Sequence, residues 1–394
     1  MKVLPRGVRL SIGGYNDKLG KFASYVTQKV RDIIPSDENE FERFKDENAR
    51  GLAAFDVKQP YAHCSYYAGL ATQPIAFQYS NKEVREETNA ASLDDLAAYV
   101  KTLWSSGKAV ALIQGNLDEN EANSLVQKIE KTLTFKPISQ DEYPAELNPL
   151  PLPPVPAKAT PTRIVFSEPN PSNGNSAVYV TIQDLSEEAK DHVMLELISS
   201  IIFEPFYQDL RTQQQLGYIV SSGIRANGKT RYLGFVVQSS VAPTAKLTKE
   251  ILKFLDKARS SQLEKLGEAD LAVYVRSLID KKTEPDKVLN QEVTRNWAEI
   301  GSGRLQFDRV QVEAAALLDV SKQDLLNFWD RIYVNDGRRV LVTESVPRIG
   351  VASSNAPLLS TGYASGKAGV DNRELVIGID DIERFRQDRE ALMS

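Results

Sequence analysis

Two histidines, His63 and His192, are all the imidazole this 394-residue chain has. Histidine is the usual general base near neutral pH and the commonest metal ligand, so these two positions bound what chemistry the chain can run. His63 stands in PYAHCSYY beside Cys64. Adjacent side chains seldom converge on one ion, and an aromatic-rich packed helix is the plainer reading. His192 stands in AKDHVMLE with Glu196 one turn later, so the two share a helical face. A zinc site needs three protein ligands, however, and neither zincin nor inverzincin spacing occurs. The sequence also lacks a G-x-S-x-G elbow, a Cys/His pair with an orienting third group and a glycine-rich phosphate loop. The carboxylate pairs Asp94-Asp95 and Asp380-Asp381 fall at helix caps or in the tail, where they complement a helix dipole. The residues provide no metal ligand set and no complete catalytic engine.

What remains is a pair of donors. In DLRTQQQLGYIVSSGIRANG (209–228), Arg211 and Tyr218 flank three glutamines and Gly217, between an apolar helical pattern and an alternating strand pattern. Arg and Tyr both stay protonated near neutral pH, and together they can bind a carbonyl oxygen or a developing oxyanion. A plainer account also fits: an Arg near a helix end satisfies carbonyls, and a Tyr opening a strand is ordinary β-propensity.

These residues must be positioned by the elements around them. Val193, Leu197 and Ile201 form the core stripe of a helix running from a Ser186 cap to about Leu210. Pro205, which has no N–H, is expected to kink or restart it so that FYQDLRTQ is re-aimed, and Gly217 to end it. A hairpin should follow, YIVSSGI then YLGFVVQ, turning at Asn227-Gly228.

The wider pattern is repeated. SLDDLAAYVKTLWSSGKAVALIQG and SKQDLLNFWDRIYVNDGRRVLVTE each start on a capping box, Ser92 with Asp95 and Ser321 with Asp324. Leu96, Tyr99 and Leu103 match Leu325, Phe328 and Ile332, and the strands KAVALI and RRVLV follow. Upstream, GVRLSIGG and the helix with Phe22, Val26 and Val30 match YLGFVVQSS and the helix with Leu247, Ile251 and Leu255. The pattern predicts an α+β fold of two homologous domains, each an antiparallel sheet with helices on one face. The second copy has extra elements before its matching strand, including TRIVFS, so the first is expected to be truncated at its N-terminus. We place the first domain at 1–147, a Pro-rich linker, NPLPLPPVPAKATPT, at 148–162, and the second domain with a C-terminal tail at 163–394. A weakly structured stretch at 351–371 precedes a closing amphipathic helix, IDDIERFRQDREALM.

Composition excludes several classes. A net charge of −5 gives no footprint for nucleic acid, and 42% hydrophobic with 26% charged residues is ordinary for a globular protein. The lone cysteine suits a reducing compartment, and no apolar run reaches the ~20 residues that span a bilayer. A cytoplasmic location is the expectation.

EPFYQDLRTQQQLGYIVSSGIRANG, GGYNDK, FDRVQVEAAAL and NWAEI together resemble the C-terminal half of the insulinase/pitrilysin family of inverzincin metallopeptidases, including its fungal members. The similarity runs from about Val8 to the tail, and LRTxxQLGY is its most specific part. The resemblance implies four homologous α+β domains in two halves around a peptide-sized chamber, with this chain matching a third domain lacking its first part, then a fourth. It implies zinc in the parent enzyme, bound by the N-terminal half together with the general base, and none in this chain. By the same resemblance Arg211 and Tyr218 contact substrate and stabilise the transition state, and Tyr207 lines a substrate pocket. Polyanion binding would fall on Lys281, Lys282 and Lys287, a stretch interrupted by Glu284, Pro285 and Asp286. The expected partners are the zinc-bearing half, peptide substrates and, through an exposed sheet edge, a second copy of the chain. A non-catalytic peptide-binding or partner subunit is the rival reading.

Overall fold

The computed structural model describes residues 1–4, 7–74, 78–139, 148–157, 159–352 and 375–393, so most of the stretch at 351–371 lies outside the described residues. Along the chain, β1 (Lys2–Leu4) and β2 (Gly7–Arg9) precede α1 (Asn16–Asp32), α2 (Glu38–Ala53), α3 (Pro60–Ala71), α4 (Asn81–Ala90) and α5 (Leu93–Leu103). Next come β3 (Ser106–Gly107), α6 (Glu119–Leu133), β4 (Lys136–Pro137), β5 (Thr162–Ser167), β6 (Ser176–Asp184) and α7 (Ala189–Tyr207). Then follow β7 (Ile219–Asn227), β8 (Thr230–Ser239), α8 (Thr244–Ala258), α9 (Glu268–Thr283), α10 (Leu289–Ser302) and α11 (Arg309–Leu318). Last are α12 (Lys322–Trp329), β9 (Val340–Val346), β10 (Val376–Ile377) and α13 (Ile382–Ala391). They form two compact units, one of Met1–Ala54, Tyr79–Glu146 and Asp286–Ile300, the other of Phe55–Gln78, Leu147–Pro285 and Gly301–Ser394.

The first unit is helix-rich and thinly packed. Asp37, Ser80, Ser92 and Asp118 cap α2, α4, α5 and α6, the last three through full capping boxes. The helices join through side chains reaching carbonyl groups: Arg31 Nε donates to Leu133 O at 3.0 Å, and Lys45 Nζ to Ala91 O at 2.8 Å. On α1 the buried residues are Ala23 and Thr27, while Phe22 is exposed. GVRLSIGG shortens to β2, paired only with β1, and KAVALI forms no strand; Ser106–Gly107 instead pairs in parallel with Lys136–Pro137. Both expected strands alternate correctly, but among the described residues neither finds a sheet to join, and a lone strand pair is marginal in water.

The second unit holds a six-stranded sheet in the order β10-β5-β9-β6-β8-β7. Its α+β character follows the sequence pattern; its details differ. β9 enters between β5 and β6 after a long helical crossover and runs parallel to β5, as does β10, so the sheet is mixed rather than purely antiparallel. Helices also cover both faces. β6 is buried along its whole length: Val178, Val180 and Ile182 meet the α7 and α8 core with Leu197, Ile201, Leu247, Ile251 and Leu255. Ala177 and Tyr179, on the opposite face, meet Cys64, Ala68 and Phe385 from α3 and α13.

α3 is pinned through its histidine. His63 Nδ1 lies 3.1 Å from a Glu168 oxygen, Nε2 lies 2.7 Å from Phe55 O, and Ser345 Oγ donates to Glu168 at 2.6 Å, with His63 and Glu168 fully buried. Burial works to lower the imidazole pKa, but the Glu168 carboxylate and the Phe55 carbonyl outweigh it, and His63 is held above its ordinary value. The Pro-rich stretch lies extended against this unit, with Leu150 and Leu152 buried and the Gln183 side chain bonding to both backbones. On α13, Arg386 donates to Gln73 O, Pro74 O and Gln78 O at 2.6–2.9 Å.

Candidate substrate-contact site

α7 begins at Ala189, three residues after Ser186, whose Oγ accepts instead from Glu188 N at 3.2 Å in a local turn. The helix then runs through Pro205 without interruption. One turn after Pro205, Gln208–Gln213 widens into a π turn, and Gln214 N bonds Asp209 O at 2.9 Å. Gln214 also holds the Asp209 carboxylate through its own amide at 2.9 Å. Gln215 takes the left-handed conformation, φ +51°, that reverses the chain, and Leu216 N closes on Leu210 O at 3.0 Å. The helix therefore ends on Gln215, not on Gly217 as its composition suggests. Gly217 answers a different demand, for a Cβ there would stand 1.8 Å from Gln238 O on β8. Only a residue without a side chain lets β7 start against the end of β8.

The junction brings Arg211 and Tyr218 together. The Arg211 guanidinium carbon is 5.6 Å from the Tyr218 ring centroid, within cation–π range, and Tyr218 is 83% exposed. Leu210 and Leu216, both buried, anchor the turn between them. Tyr207, 36% exposed, ends α7 one turn before Arg211. Beside Tyr218 is a cleft of about 410 Å³ lined by Gln59, Tyr61, Asn175, Ile219, Gln238 and Ser240. No lining side chain is charged. Gln238 Nε2 donates to Gln59 Oε1 at 2.9 Å, and Tyr61 N donates to Gln238 Oε1 at 3.1 Å, fixing one wall. Sequence reasoning passes over these amides. Gln238 faces Ile219 across the hairpin, a pairing that follows only once the turn is placed at Gly228-Lys229, one residue later than the sequence suggests, and Gln59 lies 179 residues from its partner in sequence.

The other residues singled out in the sequence are occupied elsewhere. His192 and Glu196 do share a face of α7, and that face joins a buried ion network. Its centre is Glu313, with Arg231 and Arg309 each 2.8 Å away and His192 Nδ1 at 3.7 Å. Lys282 Nζ lies 2.6 Å from both Glu196 and Glu313. Burial alone pushes the Glu313 carboxyl up, but the His192 ring and the Arg231 and Lys282 cations outweigh it and hold the group well below the carboxylate range. Lys282 is thus spent inside the fold, which removes the middle charge of the expected polyanion trio. Lys281 is an exposed residue of α9, and Lys287 belongs to the first unit. Among the described residues no group of three His, Cys, Asp or Glu side chains is placed to hold a metal ion, and no helix is long and apolar enough to cross a membrane.

Residues 197–297 match the family profile of the PQQ synthase PqqF-like C-terminal lobe domain 4, and residues 1–84 that of the middle or third domain of peptidase M16. Insulin-degrading enzyme of Homo sapiens is 29% identical over 84% of this chain and 32% of its own length. The peroxisomal insulin-degrading enzyme-like 1 of Arabidopsis thaliana is 28% identical over 84% of this chain and 34% of its own. The chain thus spans about a third of the curated relatives it matches. Among solved structures, pitrilysin superposes with a TM-score of 0.73 at 17% identity, over 95% of this chain and 37% of that one. A protease from Helicobacter pylori gives 0.62 at 14% identity, over 85% and 78% of the two chains. The sequence relatives, the two profiles and the shared fold agree, and over most of its length the chain is similar to peptidases of the insulinase/pitrilysin family.

Proposed function

We propose that this chain is the zinc-free, C-terminal half of a metalloendopeptidase that degrades or processes small polypeptides, and that it holds the peptide while another half supplies the metal and the general base. The matched third-domain and fourth-domain profiles support that placement. The observation that carries it is the pairing of Arg211 with the exposed Tyr218 across a junction fixed by Gln215 and Gly217. Two donors held side by side in a set geometry can bind a peptide carbonyl and stabilise the charge that develops on its oxygen. Tyr207 lines the approach. Zinc, when bound in the other half, supplies the activated water; this chain's residues orient the bond to be cut. A cytoplasmic setting accords with the single, buried and reduced Cys64.

The test is to combine this chain with a zinc-bearing half of the same family and measure peptide hydrolysis. Arg211→Ala and Tyr218→Phe should each lower turnover by ~10²–10³, as loss of one oxyanion donor does, with zinc content unchanged. Near-normal turnover in both variants would remove the assignment. A second reading, a partner subunit that binds peptide without cutting it, draws on a solved fold neighbour described as a peptidase M16 inactive domain. It predicts peptide binding by this chain and no gain of hydrolysis from any zinc-bearing half.

A further inference from the structure

The two edges of the six-stranded sheet are managed differently. One is β10, only two residues long, and short edge strands are a standard protection against unwanted pairing. The other is β7, nine residues long, with no strand beyond it among the described residues.

Which β7 groups face outward follows from its register. Asn227 pairs with Thr230 across the two-residue turn Gly228-Lys229, and Gly228, at φ +56°, supplies the conformation such a turn needs. The closing pair exchanges both hydrogen bonds, and bonded pairs then recur at every second residue: Arg225–Tyr232, Gly223–Gly234, Ser221–Val236 and Ile219–Gln238. The N–H and C=O groups of Val220, Ser222, Ile224 and Ala226 therefore point away from β8. One of these is already taken, because Arg225 Nη1 donates to the Ile224 carbonyl at 2.9 Å. The edge is closed near its turn by a guanidinium, whereas the main-chain groups of Val220 and Ser222 and the Ile224 N–H have no hydrogen-bond partner among the described residues.

Residues 218–224 contain no proline and no charge, and Ser221, Ser222 and Gly223 add little bulk. Ser222 Oγ is screened from water and has no hydrogen-bond partner. Tyr218 and Arg211 stand where the same edge begins. A strand paired at Val220 passes Tyr218 within two residues, ~7 Å, which carries its next carbonyl to the two donors.

We infer that the β7 edge from Val220 to Ile224 takes an extended segment of the peptide substrate as an added strand, with Arg225 marking where pairing stops. The inference rests on reading Arg211 and Tyr218 as substrate donors, because that reading makes a peptide the occupant instead of a second copy of the chain. Main-chain pairing of this kind gives affinity with little demand on side-chain identity.

The probe is a fluorescein-labelled, uncharged ten-residue β-forming peptide, titrated into the full chain without zinc or another half. Ser222→Pro deletes an outward donor that has no part in the β7–β8 ladder, whereas Ser222→Ala keeps it. The proline variant should bind about tenfold more weakly, the worth of one to two hydrogen bonds, and the alanine variant like the parent. Where the proline variant fails to fold, peptides N-methylated at alternate amides replace it. Methylating one alternate set should abolish binding, and methylating the intervening set should leave it intact. Equal affinity for both methylated peptides, parental affinity in Ser222→Pro, or no binding by the parent chain overturns the inference. A dimer that Ser222→Pro converts to monomer, with peptide affinity unchanged, assigns the edge to a second copy. Because the readout is equilibrium binding, it stays separate from turnover. The edge can fail while Arg211 and Tyr218 survive their own test, and the reverse outcome leaves a peptide-binding edge without those donors.

Discussion

Ser92 with Asp95 and Ser321 with Asp324 form the same capping box, each serine accepting from the aspartate N–H and each aspartate carboxylate reaching back. Beyond the caps the two regions part. In the second unit Leu325, Phe328 and Ile332 are buried in the core over the sheet. In the first, Leu96 is 38% and Tyr99 58% exposed. The helix itself is set locally, by cap and period; what its apolar stripe contributes depends on whether a sheet lies beneath it. The two units accordingly hold themselves together differently, one by side chains reaching carbonyl groups and one by a continuous apolar core with a buried ion network.

The largest effect is expected in the core. Phe328→Ala should cost ~3–5 kcal/mol in denaturant unfolding, whereas Tyr99→Ala should cost under ~1 kcal/mol. Equal losses would mean that burial is not what separates the two copies. Glu313→Ala should be nearly as costly, ~3–5 kcal/mol, because it leaves buried cations without a counter-charge. The same carboxylate sets a pH window. Its folded pKa lies below the ordinary 4.5, so its stabilisation is complete above that pH and is lost as pH falls through the folded value. Acidification below pH 4.5 should therefore loosen α7, α9 and α11 first, seen as faster amide exchange there, and Glu313→Gln should blunt that response.

The two capping boxes should behave alike. Ser92→Ala and Ser321→Ala should cost a similar ~1 kcal/mol each, read as local amide exchange in α5 and α12, since the lost bond is the same in both. A several-fold disparity would show that packing, not the cap, holds one of these helices. The smallest effect is expected at the solvated pair Arg50–Asp46 on α2, where Arg50→Ala should change stability by under ~0.5 kcal/mol.

What the sequence disclosed is what short-range physics determines. The capping boxes, the strand TRIVFS, the hairpin, whose turn falls at Gly228-Lys229, one residue later than expected, and the stripe of α7 each rest on residues a few positions apart. What it concealed depends on distant partners. Gly217 reads as a helix terminator until the Gln238 carbonyl is seen beside it, and Lys282 reads as a solvated charge until Glu196 and Glu313 close on it. Pro205 reads as a break because a proline in an α-helix is costly, yet α7 runs through it to Tyr207. KAVALI has the right alternation and no sheet to join. The site was half legible in the same sense: Arg211 and Tyr218 are close in sequence, whereas Gln59 reaches the cleft beside them from another part of the chain.

The docking of α3 bears on modularity. Residues 60–71 lie on strands that begin only at residue 162, and the chain leaves the sheet-bearing unit and re-enters it twice. A fragment beginning at the Pro-rich stretch would bare Ala177, Tyr179 and Phe166 to water and strand Glu168 without its histidine. The segment that carries Arg211 and Tyr218 is therefore not a cassette that one crossover can transplant. In recombination, in protein dissection or in the design of chimaeras, it has to travel with the α3 segment encoded about a hundred residues before its first strand.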